Sequence, residues 1–594
     1  MSVRPKTEQA GSSGVEGAAG LPAESAESGE KTGWKWLRPR RRWWVIFGLT
    51  LAALGLGRLR AVVGTLPYSQ HVDEGFLTHQ AVSILRSGDA NPHFFRYPSL
   101  PIYLTTLTMK VGGLVSGAPP PSAWTVPLRG SAYVPEFAYD ASRLLFALTS
   151  IIALAFIGVI ARSVYRSNLA MVLAPLIVSR SHVFEHSTAD YLSVDVITLF
   201  FVTAALATAF AAWERDSYLV TSVVPGALSG MAAASKYNSA LVLLPLGLHI
   251  VLTGTWTGKG LRAQVGRLAV LSVAAAAAFL ACVPYSVLDR GQFVADVTWE
   301  IHHYKTGHPG HDGPAGIPQF LFYLRSLADD CGPTTLAFAA AGLLFGLVIA
   351  PRRAATLASF PLAMLVHMST NRVHFLRTVL PVFALVPVFV AGGLIGLVRI
   401  ATPAFWMRRR PTWSTALNRL PAPFRTPWWP SLVAVAVVAL YAAFTDRGAL
   451  LDLDLAPDTR NVVVRFLRAR AGHARIFVPP EIGFSSERLS GFRATMTAPG
   501  LADLQRRIEH AEGSECFVVR PVYGIGRSRI ARRNVDRIEA ELRSRAAVDE
   551  LPVAGANVAM PDAAARLVLP DLNPGLEVYR LPKCGPAPTP KTGS

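Results

Sequence analysis

The sequence predicts an α-helical polytopic membrane protein with about eleven transmembrane helices and a small C-terminal α/β soluble domain. Three observations predict it: the composition, the length of the apolar runs, and the placement of arginine. Over 594 residues the chain is 51% hydrophobic and 16% charged, against about 25% charged residues in soluble globular proteins. A bilayer is the solvent such a composition suits.

Apolar runs of roughly the 17–25 residues that cross a hydrocarbon core fall near 43–63, 142–161, 168–184, 196–212, 218–235, 239–254, 268–288, 332–350, 354–370, 375–398 and 430–445. The region 34–445 is therefore read as the transmembrane domain, with large outer loops at 64–141 and 289–331.

The net charge of +19 comes without a zinc-finger spacing, basic zipper or RNA-binding motif, so nucleic acid is not an expected partner. With the N-terminus in the cytoplasm, Arg38, Arg40, Arg41, Arg42, Arg162, Arg166, Lys259, Arg262, Arg267, Arg352, Arg353, Arg399, Arg408, Arg409, Arg410, Arg419 and Arg425 all fall in inner loops, as the positive-inside rule requires. An odd number of spans then puts both large loops and everything after Phe444 on the outer face of the cell membrane. Trp34, Trp36, Trp43 and Trp44 bracket the first basic cluster, as interfacial aromatics do.

Residues 1–33 are rich in Gly, Ser, Ala and Glu and lack apolar periodicity. They read as a disordered cytoplasmic tail rather than a signal peptide. Residues 446–594 change character, with strand-like runs at Arg475–Val478, Cys516–Val519 and Leu576–Leu581 and helical stretches at 460–471, 501–511 and 534–546. Cys282 and Cys331 flank the second loop, and Cys516 and Cys584 lie in the C-terminal region. Either pair would oxidise on an outer face or stay as thiols.

The first outer loop opens with His71-Val72-Asp73-Glu74-Gly75-Phe76. Leu77, Ala81, Ile84 and Leu85 follow at helical spacing, before a stop at Ser87-Gly88. Asp73 stands where an N-cap belongs and Glu74 in a first turn that favours acids. Two adjacent carboxylates at a bilayer surface would equally supply a general base for an attacking hydroxyl. Further on come Gly88-Asp89 and Phe95-Arg96-Tyr97-Pro98.

This string, His71 to Leu104, resembles the first outer loop of GT-C membrane glycosyltransferases, the group of protein O-mannosyltransferases and lipid A aminoarabinose transferases (family 39-like). In those proteins an Asp-Glu pair follows the first transmembrane helix, then a Gly-Asp turn and an aromatic-Pro segment. Asp73-Glu74, Gly88-Asp89 and Tyr97-Pro98 match in order and spacing, and the resemblance covers roughly 40–400. It implies Asp73 as catalytic base with Glu74 beside it, a polyprenyl-phosphate-sugar donor, and inversion at the anomeric centre. The aromatic-Glu-Lys-Pro segment of the aminoarabinose branch is replaced by Phe95-Arg96-Tyr97-Pro98, so the metal-site Glu of that branch is missing.

Asp195 lies at the outer end of the fourth run, with Asp190 nearby. Related transferases have a similar Asp before an apolar helix, and substrate positioning or an N-cap would each suit it. Lys236, after the small-residue stretch 230–235, would snorkel to headgroups or hold the donor phosphate. Arg372 and Arg377 could do likewise through a bidentate guanidinium, Arg372 being preferred. Tyr97, His302, His303 and Tyr304 are expected around donor or acceptor. His308 and His311 are candidate ligands of a divalent metal, although their Gly/Pro turn fixes no ligand geometry. No Walker P-loop, nucleophile elbow or redox CxxC is present.

The reading is a membrane glycosyltransferase acting on an acceptor protein, lipid or polysaccharide hydroxyl at the outer face, with membrane lipids around it. The alternative is a non-enzymatic carrier of lipid-linked sugars.

Overall fold

The computed structural model describes residues 41–400 apart from 69–70, 72, 125–135, 190, 216 and 309–310, and beyond them 435, 459–470, 474–478, 492–496, 510, 516–521, 553–554 and 576–581. The N-terminal tail, Asp190, Cys584, the run at 430–445 and the helical stretches at 501–511 and 534–546 lie wholly or almost wholly outside these residues.

Helices α1 (Arg41–Thr65), α2 (Glu74–Ser87), α3 (Leu100–Val115), α4 (Glu136–Tyr165), α5 (Asn168–Val178), α6 (His182–Ala189), α7 (Val194–Ala211), α8 (Val224–Ala233), α9 (Leu243–Trp256) and α10 (Leu261–Cys282) follow one another along the chain. After them come α11 (Tyr285–Leu288), α12 (Arg290–Thr306), α13 (Ile317–Cys331), α14 (Pro333–Ile349), α15 (Pro351–Ser369) and α16 (Leu380–Ile400). Among the described residues six helices are long and apolar enough to cross a membrane, or seven if α13 and α14 count as one span bent by 109°. The bend falls at Gly332, whose φ of 83° suits a residue without Cβ. This is an integral membrane protein.

Several expected runs are shorter or more broken than the hydropathy pattern implied. The run at 168–184 yields the 11-residue α5 and the start of the short α6, and the run at 218–235 becomes a π-turn at Leu219–Val223 followed by α8. Conversely, α3 is a short apolar helix inside the predicted outer loop 64–141, and the loop 289–331 is largely helical.

Small residues let the helices approach. A Cβ on Gly230 would stand 2.1 Å from the Ala275 carbonyl oxygen, and one on Gly342 would stand 1.7 Å from that of Phe389. These positions draw α8 onto α10 and α14 onto α16, as small-residue interfaces do in membranes. At one end of the bundle buried Arg353 donates to Ser163 O (2.6 Å) and pairs with Glu214 (2.9 Å), so it is spent inside the protein rather than on headgroups.

Beyond residue 458 the described elements are α17 (Thr459–Arg470), β1 (Arg475–Val478), β2 (Arg493–Met496), β3 (Cys516–Pro521), β4 (Val553–Ala554) and β5 (Leu576–Leu581). They form a mixed sheet of order β2-β1-β3-β5-β4, with β1 parallel to β2 and β3, and β5 antiparallel to β3 and β4. Val463, Val464 and Leu467 of α17 pack on Ile476, Val478, Phe517 and Val519 of the sheet, and Tyr68 from the membrane domain is buried among them. Cys516 is disulfide-bonded. Cys282 and Cys331 are free thiols.

Candidate active site

The site is built where four chain segments converge. The first is the start of α2. Asp73 occupies the N-cap position, yet its backbone is already helical (φ −75°, ψ −19°) and its side chain makes no capping bond. The carboxylate is turned instead to Arg377, whose Nη2 lies 2.5 Å from Asp73 Oδ2. The second segment is the start of α7, where Ser193 supplies the cap by accepting from Asp195 N. Asp195 is thereby released from capping. Its Oδ1 meets Lys236 Nζ at 2.5 Å, its Oδ2 accepts from Ser193 Oγ at 3.0 Å, and Arg377 Nε stands 3.8 Å from that same Oδ2.

Lys236 ends the third segment, after α8, and also donates to Thr378 Oγ1 (3.2 Å), which in turn is 3.3 Å from the Tyr304 hydroxyl. Arg377 and Thr378 belong to the fourth, a 3₁₀ turn at Leu376–Val379 leading into α16. His71 completes the network: its Nδ1 accepts from Asp73 N (3.1 Å), its Nε2 is 3.2 Å from Arg377 Nη1, and its ring stacks on Tyr191 at 4.3 Å.

Helix α12 roofs this network. Asp296 on its inner face accepts from Phe95 N at 2.7 Å, Asp289 just before it accepts from Asn91 Nδ2 at 2.8 Å, and Tyr304 O near its end accepts from Arg372 N at 2.9 Å. Between these ties lies a cavity of about 190 Å³. Its charged lining is Asp73, Asp195, Glu300, Arg96, Lys236 and Arg377. Aromatic and imidazole walls come from Phe76, Phe94, Tyr97, Trp299, His303, Tyr304, His308 and Phe375.

Burial pushes the Glu300 carboxyl up to about 7; neighbouring Lys236, Arg96 and Arg377 pull it down and Asp73 adds to the rise. Burial, His308 and Arg96 all hold the His303 imidazole below its ordinary value. The Tyr97 phenol is raised by burial first and by Asp73 second, so it keeps its proton.

Of the residues expected from the sequence, Asp73, Asp195, Lys236, Tyr97, His303, Tyr304 and His308 therefore meet around one cavity. Others do not line it. Glu74 faces the protein interior, where the Tyr139 hydroxyl donates to its Oε2, Arg143 stands 3.7 Å away and His71 N donates to its Oε1. Arg372 is about half exposed and pairs with Asp312 at 3.8 Å. Arg377, the less favoured of the two arginines, is the one in the cavity. His302 is exposed, one residue off the lining face. His311 packs at a tilt against His308 and Phe375, outside the lining. Among the described residues no three His, Cys, Asp or Glu side chains are placed to hold a metal ion.

Arg96, Trp299 and Glu300 are additions. Arg96 lies 3.6 Å over the Trp299 ring. The helical period of α12 places Asp296, Glu300 and His303 on one face, and that period is the signal that could have found Glu300.

Fold and site together define a helical membrane protein with a charged, aromatic-walled cavity at the helix ends. Residues 118–286 match the family model of dolichyl-phosphate-mannose-protein mannosyltransferase. The chain is accordingly similar to the GT-C type membrane glycosyltransferases, which its loop at 71–104 also resembles. The matched segment contains Asp195 and Lys236; Asp73 lies ahead of it.

Among solved structures, the chain is similar to ArnT from Cupriavidus metallidurans bound to undecaprenyl phosphate (14% identity, 91% of this chain and 98% of that one, TM-score 0.46). It is also similar to the archaeal oligosaccharyltransferase AglB from Archaeoglobus fulgidus in complex with an inhibitory peptide and a dolichol-phosphate (13%, 72% and 62%, TM-score 0.41). A third likeness is to the S. cerevisiae protein O-mannosyltransferase Pmt1-Pmt2 complex bound to the sugar donor (16%, 46% and 38%, TM-score 0.32). No curated protein matches the sequence.

Proposed function

We propose that this protein transfers a sugar from a polyprenyl-phosphate donor to an acceptor hydroxyl at the outer face of the cell membrane, with inversion at the anomeric carbon. The observation that carries the reading is the position of Arg377 between Asp73 and Asp195, with Lys236 on the far side of Asp195. Two cations held by two carboxylates are a phosphate site in waiting. A phosphodiester competes well for both, because a guanidinium grips phosphate oxygens in a fork and an ammonium serves as a point charge.

As Arg377 turns to the phosphate, the Asp73 carboxylate is freed to take a proton. The acceptor oxygen then bonds to the anomeric carbon, its proton passes to Asp73, and the bond from that carbon to the phosphate oxygen breaks with its electron pair going to the phosphate. Arg377 and Lys236 stabilise the charge that develops there. The ring-lined wall of Trp299, His303 and Tyr304 suits the flat faces of a sugar. The family match names a lipid-phosphate mannose donor, which agrees in chemistry with this cation pair. The positive-inside pattern supports a cytoplasmic N-terminus and an outer site.

The test is incubation of membranes containing the protein with radiolabelled polyprenyl-phosphate sugars and extracted protein, lipid and polysaccharide acceptors. Label in an acceptor, lost with Asp73→Asn, is the expected result. Label crossing the membrane without transfer would favour a carrier and overturn the assignment.

A further inference from the structure

Glu300 is a carboxylate that the transfer step above leaves without a task. It projects from the roofing helix α12 into the cavity, and unlike Asp73 and Asp195 it has no cation within 4 Å among the described residues. The charges facing it come from every wall: Asp73 ahead of α2, Arg96 from the 88–99 segment, Asp195 at the start of α7, Lys236 after α8 and Arg377 ahead of α16. Tyr97, and Tyr304, His303 and His308 on or near its own helix, are the remaining titratable neighbours.

Asp73, Asp195 and Glu300 face three permanent cations in the lining, one of which, Arg96, is shared with Asp296 on the same helix at 4.0 Å, so no positive charge is to spare while Glu300 is ionised. Bringing in a phosphodiester adds one negative charge to a small, partly desolvated space, where an uncompensated charge is costly. The acid with no cation in contact is the one that can discard its charge most readily. Protonated, its hydroxyl can also donate to a phosphate oxygen, an interaction closed to an ionised carboxylate.

We propose that Glu300 is a proton-coupled phosphate-binding residue: arrival of the lipid phosphodiester places one proton on its carboxyl, which then hydrogen-bonds the phosphate. The inference rests on the phosphate-site reading given above. The electrostatics agree, since burial already holds this carboxyl at about 7 with the cavity empty, and a nearby anion moves it further up. Below pH 7 the free protein carries the proton already, so affinity is level. Above pH 7 binding must draw the proton from solvent, so affinity falls by up to tenfold per pH unit until the bound-state value is reached.

The experiment is calorimetric titration of the purified full-length protein with a polyprenyl methyl phosphate, a diester that keeps a single charge over the whole range and needs no particular sugar. It is run between pH 6 and 9 in buffers of differing ionisation heat. The expected result is uptake approaching one proton near pH 8, with affinity falling across that window. Glu300→Gln should bind with wild-type affinity at pH 6 and show neither uptake nor slope.

Wild-type binding without proton uptake overturns the proposal whatever the variant does. So does a Glu300→Gln protein that keeps the slope, which would assign the proton to an imidazole such as His308 or His71. Failure of the diester to bind at any pH overturns the phosphate site itself, so the two readings fail in distinguishable ways.

Discussion

Arg377 Nη2 stands 2.5 Å from Asp73 Oδ2, joining two residues 304 positions apart in sequence in the lining of one cavity. Only five residues away, Arg372 faces outward and pairs with Asp312. The two arginines are similar in sequence context and opposite in placement, so they make a matched pair for mutation. Arg377→Ala removes the fork that would hold the phosphate and should lower kcat by about 10²–10³, the scale of losing one transition-state donor. Arg372→Ala should stay within a few-fold of wild type, because an exposed ion pair is worth roughly 0–1 kcal/mol. Comparing initial transfer rates of the two variants checks this. Equal losses would mean that Arg377 has no special part in catalysis.

Asp73→Asn separates chemistry from binding. An amide cannot accept the acceptor's proton, so turnover should fall by about 10²–10⁴. Removing a negative charge beside Arg377 should meanwhile leave donor affinity unchanged or improve it, since the guanidinium no longer has to leave a carboxylate. Donor binding and transfer rate measured on the same preparation give both values. Normal transfer by this variant would end the assignment of Asp73 as base.

Glu74 should behave differently from its neighbour. It is 1% exposed, as is Arg143, and Arg143 also donates to the Tyr139 hydroxyl (3.1 Å), Thr65 Oγ1 (3.0 Å) and Ala189 O (3.1 Å). Those contacts pin the end of α1, the start of α2 and α4 together. Glu74→Ala strands a buried guanidinium, a change that costs about 3–5 kcal/mol. Thermal unfolding in detergent should show a large fall in Tm for Glu74→Ala and little change for Asp73→Asn. Equal Tm values would place Glu74 in the reaction rather than in the scaffold.

What was legible in the sequence follows from which signals are local. The Asp73-Glu74 string and the helix stop at Ser87-Gly88 are local patterns, and the structure has α2 ending at Ser87 with Gly88 in the left-handed region (φ 74°). Strands β1, β3 and β5 also lie where alternation placed them. The choice between Arg372 and Arg377 was not legible, because it depends on a short 3₁₀ turn with no periodicity of its own. His302 and His303 are adjacent, yet about 100° of helical rotation sends one to solvent and the other to the cavity. The periodicity was in the sequence, but a stretch read as loop gives no reason to look for a helical face. Span number suffers likewise: hydropathy averages over the π-turn at Leu219–Val223 and the bend at Gly332, where the backbone departs from a straight helix.

The last prediction concerns the link between the sheet and the site. Tyr68, five residues ahead of Asp73, is fully buried against α17 and the sheet, and the Arg460 guanidinium lies 4.4 Å over its ring. Its carbonyl oxygen lies 3.4 Å from the Tyr139 hydroxyl, which donates to Glu74. One aromatic side chain therefore fastens the C-terminal sheet to the segment that carries the proposed base. Truncating a buried aromatic ring to Ala costs about 3–5 kcal/mol, and here the loss falls on a contact between two parts of the chain. Tyr68→Ala should lower amide-exchange protection in β1 and β3 while leaving that of α14 and α16 unchanged. Turnover should fall as well, because Asp73 loses the anchor that fixes its approach to Arg377. Hydrogen-exchange mass spectrometry beside transfer assays reads both effects. Wild-type protection in β1 and β3 would show that the sheet holds without Tyr68, and wild-type turnover with lost protection would show that the site does not depend on it.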